Sequence, residues 1–161
     1  MFRLRIYEIK NEYVDYLSKH QKHIFLNKDT GKSRKYIGIV LEINNYKYFA
    51  PLSSFKTKHK KMKEGVDFIK IKEYAVLNIN NMIPVPKEAI ILPNINAEKD
   101  QHYKFLLQAE SREINRQKNR IMKNAQIVYS HKKKNGSSTP LAKRTNDFEL
   151  LENLHDKYLN S

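Results

Sequence analysis

Apolar and polar residues alternate at the start of the chain, Phe2, Leu4 and Ile6 against Arg3, Arg5 and Tyr7, and this period of two predicts a half-buried strand. The spacing then becomes helical. Tyr13, Tyr16, Leu17 and His20 share one face of a helix that runs to about residue 22, with Asn11 as its expected N-cap. Residues 24–34 hold Asn27, Asp29 and Gly31 and read as a loop. From Tyr36 to Ile43 the chain is rich in β-branched residues and predicts a central strand. Asn44 and Asn45 tolerate the positive φ of a tight hairpin turn, and Tyr46 to Leu52 returns as the partner strand. After a basic loop, residues 67–72 and 74–80 predict two more short strands. Ile83-Pro84-Val85-Pro86 suits an edge, because proline donates nothing to a ladder.

The second half has a different rhythm. From Ala97 to about Lys133 there is almost no breaker, which predicts one long helix or two in succession. Tyr103, Leu107, Ile114, Ile121 and Val128 fall on one side, and Arg112, Arg116, Arg120 and Lys123 roughly opposite. Residues 135–140 read as a flexible link. Asn146 followed by Glu149 resembles a capping box that opens a last helix, with Phe148, Leu151, Leu154 and Tyr158 inward. The class expected is α+β: a compact, twisted antiparallel sheet with added helices. Residues 1–161 are expected to form one domain, with 1–90 mainly strand around one helix and 97–161 mainly helical.

Composition narrows the function. With no Cys, disulfides and thiolate metal sites are excluded. The N-terminus lacks the apolar stretch of a signal peptide, and no segment approaches the ~20 apolar residues of a membrane span, so a soluble cytoplasmic protein is expected. Thirty-one Lys and Arg against 17 Asp and Glu leave a net charge of +14 on 161 residues. Such an excess is self-repelling unless a polyanion offsets it, and its spread through whole elements favours nucleic acid over a membrane surface. There is no Gly-rich phosphate loop and no paired-His zinc motif, and the few acids are embedded among lysines, as at Glu64, Glu73 and Glu98, so a metal nuclease is disfavoured. No metal and no cofactor is expected.

A positive constellation remains. Lys35 precedes the central strand, and Ser53-Ser54 follow its hairpin partner, so pairing should bring the amine and the two hydroxyls together. Next come Lys56, Lys58, Lys60, Lys61 and Lys63 around His59. Hydroxyls and backbone N–H groups flanked by ammonium groups suit a phosphodiester, because they orient its oxygens and neutralise charge on the phosphorane. Each feature also has an ordinary reading: a serine turn, a solvated lysine loop, a surface His59, core rings at Tyr13 and Tyr16, and the wet face of a helix at Arg112, Arg116 and Arg120. The sharper readings are phosphate contact for the lysines, general-base work for His59, base stacking for Tyr13 or Tyr16, and RNA-backbone contact for the arginines.

Three strings sharpen the choice. "FRLRIYEIKNEYVDYL", "RKYIGIVLEINNYKYFAPLSS" continuing into "FKTKH", and "LNINNMIPVP" resemble the ToxN/AbiQ family of type III toxin–antitoxin ribonucleases. The resemblance covers about residues 1–86, and the hairpin string is its most specific part. It implies that Ser53 and Ser54 take the place of the active-site hydroxyl pair, Lys35 that of the active-site lysine, Tyr13 that of a tyrosine lining the cleft, and Lys56 that of a basic neighbour. Ser53 stands where Thr is common, and Phe55 where some members have Pro.

The resemblance further implies a sheet similar to that of the MazF/Kid toxins, and metal-independent RNA cleavage that leaves a cyclic phosphate. It also implies inhibition by a small RNA pseudoknot that the toxin itself processes and binds in a closed protein–RNA ring, with a role in phage defence by abortive infection or in plasmid or locus maintenance. The attacking group would then be the substrate's own 2′-hydroxyl. Ser53 and Ser54 would hold the phosphate, Lys35 would stabilise developing charge, and Tyr13 or His59 would assist proton transfer. Arg34, Lys56, Lys58, Lys60, Lys61, Arg112, Arg116, Arg120 and Lys123 are expected to contact RNA. The alternatives are a non-catalytic basic RNA-binding module and a MazF-like ribonuclease toxin held by a protein antitoxin.

Overall fold

The computed structural model describes residues 3–26 and 33–160. Phe2 and most of the 24–34 segment, both assigned from the sequence, lie outside the described residues. Strand β1 (Arg5–Ile9) leads into helix α1 (Asn11–Ser18), then β2 (Tyr36–Ile43) and β3 (Tyr46–Ser54) form the hairpin. Asn44 and Asn45 take φ of 51° and 69°, the left-handed pair that a two-residue turn requires. A short helix α2 (Thr57–Lys61) follows where a basic loop was expected.

Strands β4 (Phe68–Ile71), β5 (Ala75–Asn78), β6 (Ile83–Pro84) and β7 (Ile90–Ile91) complete a seven-stranded sheet. Its order is β4-β5-β3-β2-β1-β7, with β6 on β3 and antiparallel pairing between all neighbours. Helices α3 (Gln101–Arg116), α4 (Lys118–Asn135), α5 (Pro140–Arg144) and α6 (Phe148–Leu159) form the second half.

The apolar stripe of the long helical region is buried as its spacing requires: Leu107, Ile114, Ile121 and Val128 are at most 3% exposed. Gln117 (φ −96°, ψ 10°) divides α3 from α4, and its amide still reaches the carbonyls of Glu113 and Ile114. Gly136 at φ 60° ends α4 and donates its N–H to the Lys132 carbonyl, a left-handed exit that suits glycine. The link expected at 135–140 is therefore shorter and leads directly into α5.

Two caps differ from expectation. Asn11 is the first helical residue of α1, and its neighbour Lys10 caps without a side-chain bond. At α6 the cap is Asp147, whose carboxylate accepts from the Leu150 N–H. Asn146 is fully buried and spends its amide on the Met82 carbonyl instead.

One buried cluster runs from Leu4 on the first strand side to Leu154 in α6, so sheet and helices share a core. Buried polar groups tie the halves together. The Glu152 carboxylate accepts from the hydroxyls of Tyr48 at 2.7 Å and Tyr129 at 2.8 Å. Asp67 takes a bidentate pair from Arg144 at 2.7 and 3.0 Å. These contacts hold α4 and α6 against β3 and tie α5 to the residue before β4, and α3 forms one wall of the site described next.

Candidate active site

The hairpin register sets Tyr36 opposite Pro51, and the Leu52 N–H donates to the Lys35 carbonyl at 2.9 Å. This puts residues 34–35 beside residues 52–54. A cavity of about 230 Å³ opens there, lined by Lys35, Arg34, Ser53, Ser54, Tyr74, Tyr103 and Glu110, with apolar residues of α3 on its floor. The hairpin supplies the amine and both hydroxyls. The turn between β4 and β5 supplies Tyr74, and α3 supplies Tyr103 and Glu110.

Each group has a distinct setting. The Lys35 ammonium pairs with Glu8 at 2.9 Å and donates to the Ser33 carbonyl at 3.1 Å, and it lies 5.5 Å from the centre of the Tyr103 ring. Burial works against its charge, but the Glu8 and Tyr103 contacts more than offset this and hold its pKa above the usual lysine value. Lys35 is thus a fixed positive charge. The Ser53 hydroxyl accepts from the Arg34 guanidinium at 3.1 Å and from the Asn78 amide at 3.4 Å. Ser54 is exposed, and its hydroxyl has no protein partner among the described residues.

Glu110 is 5% exposed. Burial pushes its carboxyl up to about 7, against the pull of Lys35.

Two residues expected at the site are elsewhere. Tyr13 is fully buried beside Val14 and Leu17 on the inward face of α1, and its hydroxyl donates to the Pro84 carbonyl at 2.6 Å. Burial raises its pKa, so it is a core residue with an engaged hydroxyl and does not line the cavity. Tyr74 and Tyr103 are the aromatic hydroxyls that do.

His59, expected as a surface group or a proton carrier, is 7% exposed and held between the rings of Phe55 and Phe68. Its Nδ1 accepts the Lys56 N–H at 2.8 Å, capping α2. Burial and then the neighbouring lysines lower its pKa and keep the ring neutral.

The expected RNA-contact residues divide among several surfaces. Arg34 lines the cavity. Lys60, Arg116 and Arg120 line a second cleft of about 860 Å³ with Phe55, Lys70 and Lys72. The cleft adjoins the site through Phe55, which follows Ser54 directly. Within it Arg116 forms a bidentate pair with Glu113 at 2.6 and 2.8 Å, and Arg120 lies 3.2 Å from Glu64.

Arg112 lies apart from them, in a third cleft with Arg3 and Arg5, so the helical stripe is not one continuous basic face. Lys56, Lys58, Lys61 and Lys123 are exposed and line none of these clefts.

Glu8, Tyr74, Tyr103 and Glu110 were not singled out from the sequence as site residues. A signal existed for Glu110: it sits between Leu107 and Ile114 at the spacing of the buried stripe, where an acid is out of place. Among the described residues, no group of three or more His, Asp or Glu side chains converges as metal ligands. No helix there is long and apolar enough to cross a membrane.

A lysine, two serines, two tyrosines and a buried acid around a small cavity, beside a basic cleft, suit chemistry on a nucleic-acid phosphate, and comparison with known proteins agrees. The chain is 37% identical over 86 residues to Endoribonuclease ToxN of Bacillus thuringiensis subsp. kurstaki, an overlap of 52% of this chain and 44% of that protein. It is 29% identical over 162 aligned residues to Endoribonuclease AbiQ of Lactococcus lactis subsp. lactis, covering 92% of this chain and 86% of AbiQ.

The solved structure of AbiQ, a lactococcal anti-phage endoribonuclease of the type III toxin–antitoxin class, matches with a TM-score of 0.87 at 25% identity over 99% of this chain and all of that one. A type III toxin structure from work on selective inhibition by a non-coding RNA pseudoknot matches with a TM-score of 0.85 at 25% identity, over the same 99% and 100%. The family model for toxin ToxN of type III toxin–antitoxin systems matches residues 5–156, and the chain belongs to that family.

Proposed function

We propose that this chain is a metal-independent endoribonuclease toxin, cutting RNA by attack of the substrate's 2′-hydroxyl on the adjacent phosphorus and inhibited by a small folded RNA. The observation that carries the reading is the cavity shared by Lys35, Ser53 and Ser54, in a family whose named relatives are endoribonucleases. Ser54, exposed and without a protein partner among the described residues, holds a non-bridging oxygen, and Ser53 presents a second hydroxyl already oriented by Arg34 and Asn78. The Lys35 charge neutralises the phosphorane as it forms. The attacking oxygen belongs to the substrate, so neither serine has to act as a nucleophile, and the products are a 2′,3′-cyclic phosphate and a 5′-hydroxyl. The basic cleft beyond Phe55 carries the strand away from the cut.

The partner inferred from a related structure's inhibitory RNA is an RNA pseudoknot; its processing by the toxin and its place in a closed protein–RNA ring are what the sequence resemblance implies. The role is phage defence by abortive infection, or maintenance of a plasmid or locus, in the cytoplasm. A kinship of the sheet with the MazF/Kid toxins belongs to the same reading. The test is cleavage of an in vitro transcript in excess chelator. Wild-type protein should yield cyclic-phosphate ends and arrest growth on expression, and Ser54→Ala should do neither while still binding the antitoxin RNA. Absence of cleavage by the wild type would remove the proposal, and unchanged cleavage by Ser54→Ala would remove Ser54 from the chemistry.

A further inference from the structure

Four acidic residues are buried among the described residues: Asp67, Glu110, Glu113 and Glu152. Three are satisfied. Asp67 has Arg144, Glu113 has Arg116 and Gln117, and Glu152 has the two tyrosine hydroxyls. Glu110 alone has no hydrogen bond or ion pair among the described residues, and it faces the cavity that holds Lys35 and both serines. A buried carboxylate without partners is costly to keep, and no packing role in α3 calls for an acid, since the positions around it in the stripe are Leu107 and Ile114.

Three other groups are removed as proton acceptors by their surroundings. Lys35 is held cationic by Glu8. His59 has its Nδ1 engaged with the Lys56 N–H, outside the cavity. Tyr13 is sealed in the core. We propose that Glu110 is the general base of the cleavage step, taking the proton of the attacking 2′-hydroxyl; this rests on the ribonuclease reading above.

The step balances. The 2′-oxygen forms its bond to phosphorus, the bond from phosphorus to the 5′-oxygen breaks, and the 2′-proton moves to the Glu110 carboxylate. A water at the mouth of the cavity protonates the leaving 5′-oxygen, and Glu110 later returns its proton to solvent. The groups facing Glu110 are Arg34 and Lys35 ahead of β2, with Glu8 of β1 behind Lys35, Ser53 and Ser54 of β3, Tyr74 between β4 and β5, and Tyr103 of its own helix. Burial brings the carboxyl to about 7, so both protonation states are populated near neutrality, which suits a base.

The experiment is a single-turnover pH–rate profile on an in vitro transcript in excess EDTA, from about pH 5.5 to 8.5, for wild type, Glu110→Gln, Glu110→Asp and Ser54→Ala. Wild type should gain roughly tenfold per pH unit below neutrality and level off above it. Glu110→Gln should lose roughly 10²- to 10⁴-fold together with that acid limb, while RNA binding is unchanged. Glu110→Asp should cleave with the limb moved.

A wild-type profile flat across the range overturns the assignment without need of any variant. So does Glu110→Gln cleaving within about threefold of wild type with the limb intact. Should Glu110→Gln not fold by circular dichroism, the wild-type and Glu110→Asp profiles decide, and identical limbs in the two reject the base. An inactive Ser54→Ala beside an active Glu110→Gln removes only the base, whereas wild-type protein that cleaves no RNA removes the ribonuclease reading itself.

Discussion

The Lys35 ammonium lies 2.9 Å from a carboxylate oxygen of Glu8, an ion pair that joins the start of β2 to β1 at the wall of the cavity. The pair fixes where the positive charge sits. Lys35→Met should cost roughly 10²- to 10³-fold in single-turnover rate, the scale seen when one preorganised donor is removed. Glu8→Gln keeps the lysine and frees its head group, so its loss should be smaller, about tenfold, with RNA affinity nearly unchanged. Because the folded pKa of Lys35 is raised, its charge is constant below the ordinary lysine value near ~10.4, and no pH limb near neutrality can come from it. Equal losses in the two variants would mean that Glu8 does more than position the lysine.

Glu110 makes a stability prediction opposite in sign to its kinetic one. Its folded-state pKa of about 7 is raised from an ordinary value of 4.5, so the folded protein binds that proton more tightly than the unfolded chain does. Stability should therefore fall as pH rises between those two values, by at most roughly 3 kcal/mol. Glu110→Gln removes the effect. Its Tm should exceed that of wild type by several degrees at about pH 8 and match it at about pH 4, read by thermal melts at both. A variant more stable and less active than its parent marks a functional site rather than a structural one. A lower Tm at the higher pH would assign Glu110 a structural role.

Tyr13 separates core from site. Its hydroxyl satisfies the buried Pro84 carbonyl at 2.6 Å, so Tyr13→Phe leaves that acceptor unpaired and should cost about 1–3 kcal/mol in urea unfolding. Cleavage by the folded variant should be unchanged, since the ring does not line the cavity. Loss of activity at full stability would return Tyr13 to the chemistry.

Gly38 in β2 is a test of hairpin packing. A Cβ placed there would lie 2.3 Å from Cδ2 and Cε2 of the Phe49 ring, which is 1% exposed and has no room to retreat. Gly38→Ala should destabilise by about 1–3 kcal/mol, seen as a lower urea midpoint. The same strands carry Lys35 and the serines at their ends, so cleavage should fall with it. An unchanged midpoint would show that Phe49 has space the packing does not reveal.

How much of this was legible depended on the range of the interaction. The hairpin is encoded locally: Asn44-Asn45 between two β-rich runs specifies the turn, the turn sets the register, and the register puts residue 35 beside residues 52–54. Strand β7 is only Ile90–Ile91, and its pairing with Glu8 and Ile9 has no local signature. The α6 cap was a choice between adjacent residues of nearly equal propensity, decided when the Met82 carbonyl claimed the Asn146 amide and left Asp147 to cap.

At the site, the amine and hydroxyls were readable because one hairpin delivers them. Glu8 and Glu110 arrive on elements distant in sequence, and a carboxylate inside an apolar stripe is informative only once its lack of a partner is known. The ring of Tyr13 at helical spacing among Val14 and Leu17 carried the ordinary meaning of such spacing, a place in the core.

The basic cleft carries the last prediction. Its two arginines are already occupied, Arg116 by Glu113 and Arg120 by Glu64, whereas Lys70 pairs with no acid among the described residues and Lys60 only loosely with Glu73 at 3.7 Å. Lysines with free charge release counterions from RNA, and each phosphate neutralised on a single strand contributes a slope of roughly −0.7 in log affinity against log salt. Lys60→Gln combined with Lys70→Gln should therefore flatten the slope by about 1.4. Lys123→Gln, equal in charge change per site but outside the cleft, should leave it unaltered. Arg116→Gln should weaken binding by more than one phosphate contact, because it also uncovers the Glu113 carboxylate, which Arg116 and Gln117 hold down at about 2 and hence fully charged. Fluorescence-anisotropy titrations of labelled RNA at several salt concentrations read all four proteins. If Lys123→Gln flattened the slope as much per lysine as the cleft pair does, the RNA would be meeting the protein's charge as a whole and not this groove.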